Sequence, residues 1–228
     1  MQPLYPPIQE LPIVFEDEHI LIVDKPCGML SQPGKHEDNS VLTRVLHSER
    51  VLHGPVLVHR LDMDTSGLLL MAKSRSTHRV LQQQFERRQI HKRYQARLSL
   101  PVSAMGGVIQ LPIRLDVDNR PTQVVCHEFG KPSTTLWRRT HSQDSHAVTF
   151  YPITGRTHQL RLHAAAGSGL NNPIQGDRLY GRANESAGDD ELESQSVSKH
   201  RMMLHADLLQ FVHPVLDRQQ CVVCKAPF

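Results

Sequence analysis

Short apolar runs separated by polar turns dominate the chain. Ile13-Val14-Phe15 and Ile20-Leu21-Ile22-Val23 flank the polar stretch Glu16-Asp17-Glu18-His19, which is the pattern of a β-hairpin. Lys25-Pro26-Cys27-Gly28 follows, and its Pro and Gly end the ladder. Residues 40–48 predict one short helix. Val56-Leu57-Val58 predicts a strand leading into His59-Arg60-Leu61-Asp62, and residues 67–72 predict another. Residues 76–88 predict a helix whose apolar face is Val80, Leu81 and Phe85. Residues 92–100 alternate as a strand does. Residues 124–127, 134–139, 147–151 and 222–225 also predict strands, and residues 155–166 a loop running into a helix. Strands outnumber helices and no regular βαβ alternation appears. This pattern predicts an α+β fold with a mixed, largely antiparallel sheet core and flanking helices.

Composition narrows the class. The chain has 228 residues, 39% of them hydrophobic and 21% charged, enough for a buried core. It has no run of ~20 apolar residues and no charged region followed by an apolar run at its start, so the expected location is the cytoplasm, away from membranes. Residues 1–11 are Pro-rich and predict an extended lead-in; residues 12–228 predict one domain. Residues 183–200 hold five acids, one Lys and almost no apolar side chain, the composition of a flexible surface insertion. Without them, the net charge of +3 becomes 25 basic against 18 acidic residues, or +7. A basic body can attract phosphates, although ordinary solubility charge reads the same way.

Four scattered cysteines, Cys27, Cys126, Cys221 and Cys224, form no disulfide framework and fit a reducing compartment. Cys221-Val-Val-Cys224 has half the spacing of a zinc site but lacks a second pair. His158 and His163 would lie on different faces of one helix, so no metal is expected.

Two segments concentrate chemistry. His59-Arg60-Leu61-Asp62-Met63-Asp64-Thr65-Ser66-Gly67 joins two apolar runs and offers two carboxylates, Asp62 and Asp64. Scaffolds position functional groups on such loops, but a loop Asp also serves as an Asx-turn or cap. Gly155-Arg156-Thr157-His158-Gln159-Leu160-Arg161-Leu162-His163 places Arg156 near a helix N-terminus, where orphan amides favour an anion. A helix with a basic solvent face would read the same way. Lys92-Arg93-Tyr94 at a strand start and Gly176-Asp177-Arg178-Leu179-Tyr180-Gly181 complete the candidates. No phosphate loop, dinucleotide fingerprint or nucleophile elbow is present.

In order and spacing, these segments resemble the RluA family of RNA pseudouridine synthases. HRLDMDTSGLLLMAKS looks like its signature. Residues 17–28 resemble its opening, and residues 92–96 its K-x-Y strand. GRTHQLRLH, GDRLYG, LHADLLQFVHP and CKAPF resemble its later motifs. The resemblance runs from residue 12 to 228. Residues 111–135 are similar to the branch that modifies both 23S ribosomal RNA and a tRNA anticodon stem-loop. Larger relatives carry an S4 RNA-binding domain before the catalytic domain, and none is expected here.

The resemblance implies an isomerase that needs no cofactor. Asp62 would be the catalytic carboxylate. Arg156 would pair with it, and Tyr94 would stack on the target base. Arg60 would contact RNA, with His59, Thr65, Ser66, Gly67, His158, Gln159 and Arg161 as further substrate-binding residues. RNA is the expected partner and a monomer the expected state. Two other readings are an inactive RNA-binding assembly factor of the same fold and a two-carboxylate glycosidase. The second needs carboxyls ~5 Å or more apart across a glycosidic bond, which two positions in one loop serve poorly.

Overall fold

The computed structural model describes residues 11–48, 56–140, 144–181 and 201–228. In chain order its elements are β1 (Ile13–Glu16), β2 (Ile20–Lys25), α1 (Val41–Leu46), β3 (Ser66–Ala72), α2 (Arg75–Glu86), β4 (His91–Arg97), β5 (Gly106–Gln110), β6 (Ile113–Leu115), β7 (Gln123–Val125), β8 (Thr134–Arg139), β9 (Ala147–Pro152), α3 (Gln159–Ala165), β10 (Leu204–Val212) and β11 (Gln219–Val223). The described residues belong to two compact units, one of Met1–Arg93 with His205–Phe228 and one of Tyr94–Leu204.

In the first unit β1 and β2 form the expected hairpin, and β2 runs antiparallel to β3 from Ile20↔Ala72 to Lys25↔Gly67. β10 joins the other side of β3 in parallel, through His205↔Ser66 and Ala206↔Gly67, and β11 lies antiparallel to β10. Flanked on both sides, β3 is buried along its whole length, which is why its apolar residues run without alternation. Ile20, Ile22, Leu68, Leu70, Leu81 and Phe211 centre this unit's core. The Ser74 hydroxyl caps α2 by accepting the Thr77 N–H at 3.2 Å, and Leu81 buries the helix's inner face.

In the second unit β9 pairs antiparallel with β4 and β8, β5 pairs with β8, and β6 with β7 form a separate hairpin. Leu98, Trp137, Val148, Phe150, Leu160 and Ala164 form its core. The largely antiparallel α+β expectation therefore holds, with β3 and β10 running parallel.

The elements differ from expectation in four places. Val56-Leu57-Val58 makes only an isolated bridge, Leu57 to Met71, because the segment turns away before a ladder forms. β5, β6 and β10 were not predicted. Residues 183–200 lie outside the described residues, as do residues 1–10 of the lead-in.

α3 is buried from Gln159 through Ala164, so the basic solvent face is not found. His163 is fully buried, with Nε2 2.9 Å from Ser133 Oγ and Nδ1 2.9 Å from Thr135 Oγ1. Burial pushes its pKa down from 6.5 to about 4. A histidine held neutral stabilises the fold fully above its unfolded pKa, because below it the unfolded state takes up the proton first. The melting temperature should therefore fall as pH drops from 6.5 towards 4. A melting series should show the fall, shallower in His163→Asn; an equal slope in both proteins would remove His163 as the cause.

Candidate active site

Asp62 lies in the first unit, on the loop between β3 and the bridge at Leu57. Buried side chains fix both ends of this loop: Leu61 before Asp62, and Thr65 and Ser66 after Asp64. The Ser31 hydroxyl donates to Leu61 O at 2.7 Å and accepts its N–H at 3.0 Å. The Thr65 N–H closes the turn onto Asp62 O at 3.1 Å. Asp62 and Asp64 are each half-buried, and Met63 between them is exposed.

Lys25 supports this loop from within. Its side chain is fully buried, and its ammonium donates to Pro26 O, Met29 O and Met63 O at 2.9, 2.6 and 2.8 Å. Three carbonyls use all three donors. Burial pushes the Lys25 pKa down to about 8, opposed by the charges of Cys27, Asp62, Asp64 and Asp24. The ammonium and the two loop carboxylates thus attract one another. Sequence reading passed over Lys25, although a Lys directly before a strand-ending Pro was the available signal. Beside Met63 opens a cleft of about 460 Å³, lined by Cys27, Gly28, Met29, Asn39 and Arg44 among others.

Gly67 is a backbone requirement. Its φ is +111°, and a Cβ there would lie 2.3 Å from Ala206 O and 2.6 Å from Ala206 N. β3 and β10 therefore approach closely just past the loop. Gly67→Ala should lower stability by roughly 2 kcal/mol or more and raise the mobility of the loop; denaturant melts that match wild type would refute this.

The half-buried His59 is engaged within the protein. Its Nε2 accepts the Leu70 N–H at 2.9 Å, and its ring stacks on Phe85 at 5.0 Å. Burial, with the Lys92 charge, pushes its pKa down to about 3, so it is a neutral strut between the loop and β3. Ser66 Oγ lies 2.9 Å from His205 Nδ1. Arg60 is exposed and open to an outside partner.

In the second unit, Tyr94 is half-buried on β4, opposite Phe150 of β9, and packs against that unit's core. Arg156 is exposed; its Nε donates to Pro132 O at 3.3 Å and its N–H to Gln159 Oε1 at 3.0 Å. It precedes α3 by three residues rather than beginning it. Asp62 thus belongs to the first unit, and Tyr94 and Arg156 to the second.

Three residues expected at the substrate have another part here. Arg161 and Asp177 form a buried fork, Nε–Oδ2 2.8 Å and Nη2–Oδ1 2.6 Å, with side chains 3% and 0% exposed. The Asp177 carboxylate also accepts the N–H groups of Leu179 and Tyr180 at 2.9 and 3.1 Å. His158 Nδ1 is 2.9 Å from Tyr180 Oη. Gln159 donates to Thr134 O and Thr135 Oγ1 at 3.0 and 2.9 Å. His158, Gln159 and Arg161 therefore anchor GDRLYG and β8 from inside the fold. The pairing joins residues 16 and 22 apart in sequence, a distance that periodicity cannot read.

Comparison with known proteins agrees with this architecture. A family model described as RNA pseudouridylate synthase matches residues 19–166. Over 230 residues the chain is 39% identical to the "Dual-specificity RNA pseudouridine synthase RluA" of Escherichia coli K12, covering 98% of both chains. The protein so described in Vibrio parahaemolyticus is 43% identical over 211 residues, covering 89% of this chain and 78% of that one. Among solved structures, "Human RNA Pseudouridylate Synthase Domain Containing 1" superposes with a TM-score of 0.75 at 27% identity, covering 100% of this chain and 87% of the other.

Proposed function

We propose a division of labour for a chain that belongs to the RNA pseudouridylate synthase family and isomerises uridine in RNA to pseudouridine. Asp62 is the catalytic carboxylate. The reaction breaks the N1–C1′ bond, turns the base, and forms a C5–C1′ bond; C5 loses a proton and N1 gains one. A carboxylate at C1′ supports the electron-poor sugar carbon while the base is detached. No electrons leave and no group is imported, so the chemistry draws on the chain's own residues.

The loop's construction is the observation that carries this reading. Lys25, Ser31 and Thr65 hold the backbone around Asp62, and preorganised support of this kind is what a reacting group needs. Arg156 serves as the cation that pairs with this carboxylate. Tyr94 lies against the base and assists proton transfer. Arg60 contacts RNA. A stacked uridine hides its C1′ and C5, so the target is flipped out at a cost of a few kcal/mol. Loops and bent stems lower that cost and are the preferred substrates.

The relatives' designation as dual-specificity enzymes supports two RNA targets; the resemblance of residues 111–135 makes these a tRNA anticodon stem-loop and 23S ribosomal RNA, and the chain acts on them as a monomer in the cytoplasm. Among the described residues no helix is long and apolar enough to cross a membrane. Incubating the protein with unmodified tRNA and with unmodified 23S RNA, then mapping pseudouridine by position, tests this choice. One modified site in each RNA is expected; modification of only one RNA class would overturn dual specificity.

A further inference from the structure

We infer that Asp24, His205 and Cys224 form a site for a borderline-soft divalent ion such as Zn²⁺, clamping the strands on either side of β3. Their ligand atoms, a carboxylate oxygen, an imidazole nitrogen and a thiol sulfur, all lie within 4.8 Å of one another. Zinc bonds of ~2.0–2.3 Å in a tetrahedron set donor separations of roughly 3.3–3.8 Å. The donors therefore need to close by up to roughly 1.0–1.5 Å.

The three residues come from three distant stretches of chain. Asp24 lies on β2, opposite Leu68, and His205 on β10, opposite Ser66. Cys224 follows β11, where its N–H donates to Asp207 O at 2.9 Å. No turn or helical repeat forces them together; the sheet does. An ion held by all three would bridge β2 to β10 across β3, the strand that begins just after the Asp62 loop.

The surroundings suit an ion. Ser66 Oγ holds His205 Nδ1 at 2.9 Å, so Nε2 is the nitrogen for the metal, and the ring's orientation is set by a neighbour as in known metal sites. Arg93 forks onto Asp207 at 2.7–3.2 Å, which matches that carboxylate with its own cation. Burial, a hydrogen bond to Asp24 and the Asp24 and Asp207 charges push the Cys224 thiol up to about 12, so an ion has to displace that proton; Asp24 and the resulting thiolate then supply two negative charges for a 2+ ion, with water as a fourth ligand. The thiol proton is released to solvent when the ion binds. One thiolate, one imidazole and one carboxylate favour zinc-like ions over Mg²⁺ or Ca²⁺. The pairing of Cys221 with Cys224 does not arise: Cys221 is exposed on β11, opposite Gln210.

Chelator-treated full-length protein titrated with Co²⁺, a spectroscopic stand-in for Zn²⁺, tests the site. One equivalent should give the near-ultraviolet thiolate-to-cobalt absorption, and Zn²⁺ should displace it. Cys224→Ser should abolish the band and Cys221→Ser should keep it. Asp24→Asn should weaken Co²⁺ affinity about tenfold or more. Melting in chelator checks that each variant is folded. The site is overturned if wild type shows no band at micromolar Co²⁺, if folded Cys224→Ser keeps it, or if Asp24→Asn binds as wild type does.

Discussion

Asp62→Asn is expected to slow pseudouridine formation by roughly 10⁴–10⁶-fold, the range for removing one member of a catalytic set. RNA affinity should change little, because phosphate contacts carry most nucleic-acid binding and Asn preserves the loop's shape. Single-turnover rates and filter binding on one RNA separate the two effects. Asp64→Asn is the essential comparison. Both carboxylates sit on the loop that Lys25 pins at Met63, so a merely structural carboxylate would show up as similar losses in melting temperature for both variants. If Asp64→Asn is inactive and Asp62→Asn is not, the assignment is wrong. Full activity in both variants would show that neither loop carboxylate is the catalytic group.

The second large effect is on stability. Arg161→Ala should cost about 3–5 kcal/mol, because it strands a buried, charged partner. Asp177 has no exposed side-chain surface and accepts two backbone N–H groups besides the guanidinium. Replacing both members, as in Arg161→Met with Asp177→Leu, should recover part of the loss, since it removes the stranded charge as well. The guanidinium also lies over the Tyr180 ring at 5.3 Å, so the double variant should remain below wild type. Urea melts of the single and double variants measure both. A single-variant loss under about 1 kcal/mol would place this pair among ordinary surface bridges and return Arg161 to the list of candidate RNA contacts.

These two residues show what could be read from the chain and what could not. The hairpin of β1 and β2, the strands β8 and β9 and the helix α2 follow from local periodicity and turn chemistry, so sequence located them closely. The Asp62 loop was legible as two carboxylates between apolar runs, and the family resemblance chose between them. Long-range partners were not legible. β10 carries His205 and Asp207, whose charge and polarity argue against a buried strand until Ser66 and Arg93 are seen to satisfy them. Arg161, His158 and Gln159 read as substrate contacts because their partners Asp177, Tyr180 and Thr134 lie far off in sequence. Lys25 was missed for the same reason: its role exists only once the carbonyls of residues 26, 29 and 63 converge. Gly67 was expected to touch substrate, but its φ and its distance to Ala206 give it a backbone role.

Release of tritium from RNA labelled at uridine C5 tests the central claim most directly, because forming the C5–C1′ bond must expel that atom. Folded wild-type protein should release one tritium for each pseudouridine formed, from a tRNA anticodon stem-loop or from 23S RNA. No release from either RNA, with folded protein bound to it, would contradict uridine isomerisation by this chain.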